Sequence, residues 1–117
     1  MFKRLFGRDD GGIEALDRKV IEQLQKAGAD LSQPRDTVHY LYFQTAQDAN
    51  VAAEMLRAHG LTAEAKPAAS GNDPWVVIAN HDYVVNSDSI RAIRRVAEEA
   101  AQAGHGDYDG WEAAAEP

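Results

Sequence analysis

The chain has 117 residues, enough for one compact domain and too few for two. It contains no cysteine, which excludes disulfides, thiol nucleophiles and zinc sites built from thiolates. Its formal net charge of −7 argues against direct RNA or DNA binding, because phosphates repel an acidic protein. No apolar stretch is long enough for a membrane span or a secretory signal. Together with the missing cysteines, this predicts a cytoplasmic protein.

The chain divides into a tail, a single domain and a second tail. Residues 1–9 combine aromatic and basic side chains, and we expect them to form a flexible basic tail. Residues 10–112 form the predicted domain, and residues 113–117 form a short C-terminal tail.

Three segments carry apolar residues at the spacing of one helix face. The first follows an acidic start at Asp9 and ends at Gly28, and the second runs from an N-cap at Thr45 to Gly60. The third begins at Asn86 or Ser87 and ends at Gly104. The apolar positions are, in chain order, Ile13, Leu16, Val20, Leu24 and Ala27; Ala49, Ala52, Ala53 and Leu56; and Ile90, Ile93, Val96, Ala97, Ala100 and Ala101.

Four segments have the composition of β-strands. Residues 37–43 and 75–79 are dense in β-branched and aromatic residues, and residues 107–112 form a last short strand. Residues 61–66 alternate between apolar and polar side chains, which predicts a half-exposed edge strand. A connector at residues 29–36 separates the first helix from the first strand.

The element order is a helix followed by β-α-β-β-α-β. Two right-handed split β-α-β units give an antiparallel sheet of strand order 4-1-3-2 with both crossover helices on one face. The sequence therefore predicts an α+β, ferredoxin-like fold with an extra N-terminal helix.

The first and third strands are apolar on both faces, although a sheet covered on one side should alternate more visibly. This pattern predicts that the face without crossover helices is covered or can be covered. The candidates are the N-terminal helix, a second copy of the protein in a homodimer, and a functional partner.

Residues that often carry chemistry do not form a known catalytic or metal-binding pattern. The histidines lack the spacing of a ligand pair, and the sequence has neither a G-x-S-x-G motif nor a glycine-rich phosphate loop. We therefore expect no enzyme activity, no metal and no cofactor. The histidines considered are His39, His59, His81 and His105.

Aromatic residues on the predicted central strands have two interpretations. Tyr40, Tyr42 and Trp75 could stack on bases, as in sheets that recognise RNA. The basic-glycine-aromatic motif of such sheets is missing and the domain is acidic, which favours a core or protein-interface role. These three residues and His39 are secondary candidates for contact with a partner.

The most distinctive segment is Tyr108-Asp109-Gly110-Trp111-Glu112. Strand alternation would place Tyr108 and Gly110 on one side and Asp109 and Trp111 on the other. In a structural role, the rings complete the core and Gly110 allows a bulge or a close backbone approach. In a functional role, the segment is an acidic-aromatic edge that contacts a basic partner. All five residues are candidate partner-binding residues.

This pentapeptide, which follows a long predicted helix and a His-Gly-Asp turn, resembles the family of the regulator of ribonuclease E activity, type B (RraB). The resemblance extends back through the strand His39–Phe43 and the alanine-rich helix that ends at Gly60 to the leading helix that ends at Gly28. It covers roughly residues 13–112. Members linked to inhibition carry a long acidic segment after this signature pentapeptide, where the present sequence has Ala113 to Pro117.

The resemblance implies a ferredoxin-like domain that binds ribonuclease E and inhibits its endonuclease activity, thereby modulating RNA turnover without touching RNA. The acidic composition suits a partner with basic segments. The alternative is a ferredoxin-like module that senses a small ligand or associates with itself through the sheet face, unrelated to ribonuclease E.

Overall fold

The structure is a computed structural model that describes residues 10–69 and 73–113, with side chains from Asp17 onward. The predicted N-terminal tail at residues 1–9 and residues 114–117 of the predicted C-terminal tail lie outside the described residues. Ala113, which the sequence placed in that tail, is instead buried at the end of the last strand.

Three helices and four strands make up the described chain. In chain order they are α1 (Asp10–Lys26), β1 (Pro34–Phe43), α2 (Ala46–Ala58), β2 (Thr62–Pro67), β3 (Trp75–Val84), α3 (Ser87–Ala103) and β4 (Asp107–Ala113). The sheet has the strand order β2-β3-β1-β4, and every neighbouring pair is antiparallel. The predicted ferredoxin-like order 4-1-3-2 is therefore confirmed, with β2 at an edge as expected.

The helices form where caps and apolar spacing coincide. Thr45 accepts a hydrogen bond from the backbone of Asp48 at the start of α2, and Asn86 forms a capping box with Ser89 at the start of α3. The predicted apolar positions of α2 are all fully buried. In α1, Val20 and Leu24 of the predicted stripe are buried, whereas the side chains of Ile13 and Leu16 lie outside the described residues. Ala27 is exposed and lies beyond the end of that helix.

The two central strands are longer than the sequence indicated. β1 begins at Pro34 rather than residue 37, and β3 continues past residue 79 to Val84. Pro34 pairs with Val84 at the first position of the strand, where a proline is tolerated. The extra residues are largely polar and extend the β1–β3 pairing through their backbones. The prediction that the connector continues to residue 36 was therefore wrong.

Helix α1 packs on the same side of the sheet as α2 and α3. Val20 and Leu24 of α1 belong to the core cluster that the sheet forms with those helices. Asp17 of α1 bonds to Arg94 of α3 and to Trp111 of β4 on that side. The first of the three covers predicted for the other face is therefore wrong, because the described part of α1 lies among the helices.

Candidate functional site

Strand β1 separates the two faces of the sheet by its alternation. Its odd-numbered side chains from residue 37 to residue 43 face the helices and are almost completely buried. Its even-numbered side chains Val38, Tyr40 and Tyr42 lie on the opposite side and are only half-buried. The side of the sheet on which none of the described helices packs thus presents aromatic surface at its centre.

Register places aliphatic residues of β3 beside these side chains. Ile78 lies opposite Tyr40, and Val76 lies opposite Tyr42. Val76 is 6% exposed and Ile78 is half-buried. We call the helix-free apolar stripe the open face, and it consists of Val38, Tyr40, Tyr42, Val76 and Ile78.

Carboxylates surround the open face. Glu112 of β4 lies opposite Val38, Asp107 lies opposite Tyr42, and Glu64 of β2 lies opposite Ile78. Tyr40 donates its hydroxyl proton to Glu112 Oε1 over 2.6 Å, so one acidic side chain is fixed against the stripe. Lys66, near Glu64, brings positive charge to the same face. We call the following carboxylates the acidic rim: Asp36, Glu64, Asp82, Asp107 and Glu112.

Two members of the acidic rim sit directly across from each other. Asp36 of β1 pairs with Asp82 of β3, and both side chains are exposed. Asn80 donates from Nδ2 to Asp36 Oδ2 over 3.1 Å, which holds that carboxylate in place. Like charges opposite each other destabilise an antiparallel pair. The sheet therefore carries a local repulsion that a bound cation would relieve.

The signature strand β4 contains a bulge that changes which residues share a side. Leu41 pairs with Tyr108 and His39 pairs with Trp111, so two steps on β1 correspond to three on β4. Gly110 has a φ of 101°, a conformation that glycine adopts without strain. The predicted bulge is present, and the predicted separation of Tyr108 from Trp111 is wrong, since both face the helices.

Trp111 lies in the core beside a buried ion pair. It is 3% exposed, and its indole N–H donates to Asp17 Oδ1 over 3.0 Å. Arg94 binds the same carboxylate through both Nε, at 2.9 Å, and a terminal nitrogen. This two-point contact is the strongest geometry for a guanidinium and a carboxylate.

His39 lies at the centre of a directed hydrogen-bond chain. Thr37 donates its hydroxyl proton to the His81 carbonyl over 3.0 Å, so its oxygen must accept from His39 Nε2 at 2.9 Å. His39 Nδ1 then accepts from the Tyr108 hydroxyl at 2.9 Å. Burial lowers the pKa of His39 from 6.5 to about 3, and burial raises the pKa of Tyr108 well above 10. Both side chains are therefore neutral, structural members of the core.

The candidates from the sequence fall into two groups. Tyr40, Tyr42 and Glu112 meet on the open face or its rim. Trp75 is half-buried and pairs with Phe43 on the helix side, so the structure does not bring it to Tyr40 and Tyr42 as an RNA-stacking platform would need. The remaining candidates do not lie on the open face. Three of them are buried, namely His39, Gly110 and Trp111. Tyr108 packs against the core, and Asp109 is half-buried in the bulge.

Sequence reasoning missed four residues that shape these sites. Asp17 and Arg94 form the buried ion pair, and Arg94 gave a signal because it lies four residues after Ile90 on the buried face of α3. Asp36 and Asp82 fell outside the strands as predicted, so their pairing could not be anticipated.

Neither a metal site nor a membrane helix is found in the described part of the chain. Residues 10–69 and 73–113 contain no group of three or more histidine or carboxylate side chains arranged to hold a metal ion. None of the helices described is both long and apolar enough to cross a bilayer.

Comparison with known proteins adds one finding to this geometry. No curated protein matches the chain. The family model described as "Regulator of ribonuclease activity B" matches residues 14–113, which includes all the strands and the signature segment. The match supports a regulator of ribonuclease activity, a role that points to a protein partner. By this match over most of its length, the chain belongs to the RraB family.

Proposed function

We propose that the protein binds ribonuclease E and inhibits its endonuclease activity, and so modulates RNA turnover. The observation that carries the proposal is the family match over residues 14–113. The sequence resemblance points to ribonuclease E as the particular enzyme. The acidic rim supports contact with a protein rather than with its RNA substrate, since carboxylates repel phosphates.

The open face supports a protein-binding role by its composition. Tyrosine is enriched at the energetic centres of interfaces, where an aromatic body packs and a hydroxyl finds a polar partner. Tyr40 and Tyr42 have this character, and the bond from Tyr40 to Glu112 orients a charged group at the border of the stripe. An apolar centre with a polar rim is the usual anatomy of such surfaces.

The signature segment contributes to this surface in two ways. Glu112 belongs to the acidic rim and is available for direct contact with the partner. The other contribution is indirect. The bulge at Gly110 and the core contacts of Tyr108 and Trp111 hold β4 against β1, and so position Glu112. Asp109 lies in the bulged part of β4, between the pairings of Tyr108 and Trp111, and is half-buried.

A cleavage assay tests the proposal. Ribonuclease E is incubated with a labelled RNA and increasing amounts of the protein, and binding is measured in parallel by calorimetry without RNA. We expect cleavage to slow as the protein approaches stoichiometric amounts. Pancreatic ribonuclease on the same RNA is the control, since a protein that sequestered RNA would slow both enzymes. Stoichiometric excess that neither binds ribonuclease E nor slows it would overturn the proposal.

Self-association is the second candidate function, and the apolar stripe, which none of the described helices covers, favours it. Two copies that met through the open face would, however, bring their acidic rims together, and like charges at an interface oppose binding. Light scattering over a dilution series distinguishes the cases. A monomer at all concentrations supports a different partner, and a dimer that dissociates on dilution supports self-association.

A further inference from the structure

We infer that the open face is the docking surface for an amphipathic helix of the partner, with apolar residues along one side and arginines beside them. The inference deepens the proposed function and rests on it only for the identity of the protein that carries this helix. It is drawn from the shape of the stripe, the charge of its rim and the pairing of Asp36 with Asp82.

The shape of the stripe suits a helix. The open face lies on one side of a sheet whose other side is already covered by α2 and α3, and a sheet face is commonly buried by a helix. From Val38 to Tyr42 the stripe is about 13 Å long at about 3.3 Å per residue. A helix rises about 1.5 Å per residue, so about nine residues would cover it.

The rim sets the charge of the occupant. Carboxylates lie at both ends of the stripe and on both of its sides, as the pairings of Asp36, Asp107 and Glu64 show. An acidic or neutral helix would partly desolvate these carboxylates without compensating their negative charge. A helix flanked by basic side chains would satisfy them and would be steered to the face by its charge.

The Asp36–Asp82 pair selects arginine over lysine. Two carboxylates on directly paired residues of neighbouring strands suit the planar fork of a guanidinium, whose several nitrogens can donate to more than one acceptor. The hydrogen bond from Asn80 restricts the position of the Asp36 carboxylate, and the Asp82 side chain is exposed to an incoming ligand. The repulsion between the two charges is removed when a guanidinium binds, so this contact is stronger than an ordinary surface ion pair.

Other occupants fit less well. A second copy would oppose one acidic rim with another, and RNA or an anionic lipid surface would be repelled by the same rim. The described part of α1 lies on the helix side and does not reach the face.

A labelled peptide of about 16 residues, designed as a helix with leucines on one side and arginines flanking them, tests the inference. We expect its fluorescence anisotropy to rise with protein concentration and the binding to weaken as salt is raised. A version with lysine for arginine should bind more weakly, and versions with glutamate for arginine or with the same residues scrambled should not bind. Equal binding of the scrambled peptide would overturn the inference.

Variants locate the binding on the protein. Tyr42→Ala and the pair Asp36→Asn with Asp82→Asn should each weaken the peptide by about 10-fold or more. Val51→Ala removes exposed apolar surface from α2, and Glu22→Gln with Glu54→Gln removes the same charge from exposed positions of α1 and α2. These controls should leave binding unchanged. Equal effects of the open-face and control variants would overturn the inference.

The same variants separate this inference from the proposed function. If they abolish peptide binding but the wild-type protein does not affect ribonuclease E, the docking surface stands and the proposed function fails. If the wild type and both open-face variants inhibit ribonuclease E equally, the proposed function stands and the docking surface is wrong. A concentration-dependent dimer that Tyr42→Ala dissociates would assign the face to a second copy and would also overturn the inference.

Discussion

Trp111 near the end of the chain donates its indole N–H to the carboxylate of Asp17, over 3.0 Å. The same carboxylate binds the guanidinium of Arg94, so one acidic group joins α1, α3 and β4. The side chains of Arg94 and Asp17 are 10% and 11% exposed, respectively. Removing one partner of a pair this well enclosed is costly, because it leaves an uncompensated charge in the core.

Asp17→Asn tests how much this ion pair contributes to the stability of the fold. The amide can still accept from Trp111, but it leaves the Arg94 guanidinium enclosed without its counter-charge. We expect the free energy of unfolding to fall by about 3 kcal/mol. Urea denaturation measures the change, with Glu22→Gln on the exposed side of α1 as the control. A loss no larger than that of the control would show that the ion pair is not important for stability.

Trp111→Ala should act as a core truncation. The side chain is 3% exposed, and its removal leaves a cavity between α1, α3 and the sheet. We expect the protein to lose about 3–5 kcal/mol of stability. Val51→Ala, at a position 41% exposed, should have little effect in the same denaturation experiment. A nearly unchanged midpoint for the tryptophan variant would contradict its placement in the core.

Stability should fall as pH drops below 6.5, with His39 as one cause. Burial lowers the pKa of His39 from 6.5 to about 3, and the positive charges of His81 and Arg94 add to the shift. Between these values the unfolded chain binds a proton that the folded chain excludes. The contribution is therefore complete above pH 6.5 and declines by up to about 1.4 kcal/mol per pH unit toward pH 3.

The variant His39→Gln isolates this effect. It removes the titrating group while keeping hydrogen-bonding atoms on the side chain, so its stability should depend less steeply on pH. Urea denaturation of both proteins at pH 5, 6 and 7 gives the comparison. Parallel curves for the two proteins would mean that His39 does not titrate between the folded and unfolded states in this window.

Asp82→Asn should stabilise the protein while weakening its partner contact. The change removes one of two like charges that face each other across β1 and β3, and such pairs contribute about 0.2–1 kcal/mol. Thermal unfolding at low salt measures the gain, which should shrink at high salt as the repulsion is screened. Glu54→Gln is the control, and a loss of stability in Asp82→Asn would rule out the repulsion.

The sequence was sufficient for the element order and the topology because caps and apolar spacing are local. The structure has N-caps at Thr45 and Asn86 and a buried apolar stripe on α2, as the local sequence predicted. The start of β1 and the end of β3 could not be predicted in this way. Residues there, such as Asn80 and Asp82, are polar and belong to the strand only through backbone pairing.

The candidate site was predictable in composition but not in arrangement. Tyr40 and Tyr42 were identified as aromatic residues of a predicted central strand. The position of Trp111 depends on a bulge and on an aspartate 94 positions away, and neither leaves a periodic pattern in the sequence. Arg94 was the available indication, since a charge within the buried face of a helix requires a partner.

The bulge at Gly110 also gives the Tyr-Asp-Gly-Trp spacing a geometric meaning. Before it, the even-numbered Tyr108 faces the helices; after it, the odd-numbered Trp111 and Ala113 do, so the strand changes phase at a single residue. A β-branched side chain at Gly110 would oppose the positive φ, and a strand that flattened in response would turn Trp111 outward and Glu112 into the core. The Tyr-Asp-Gly-Trp spacing thus reflects a backbone conformation first, and the surface that conformation presents follows from it.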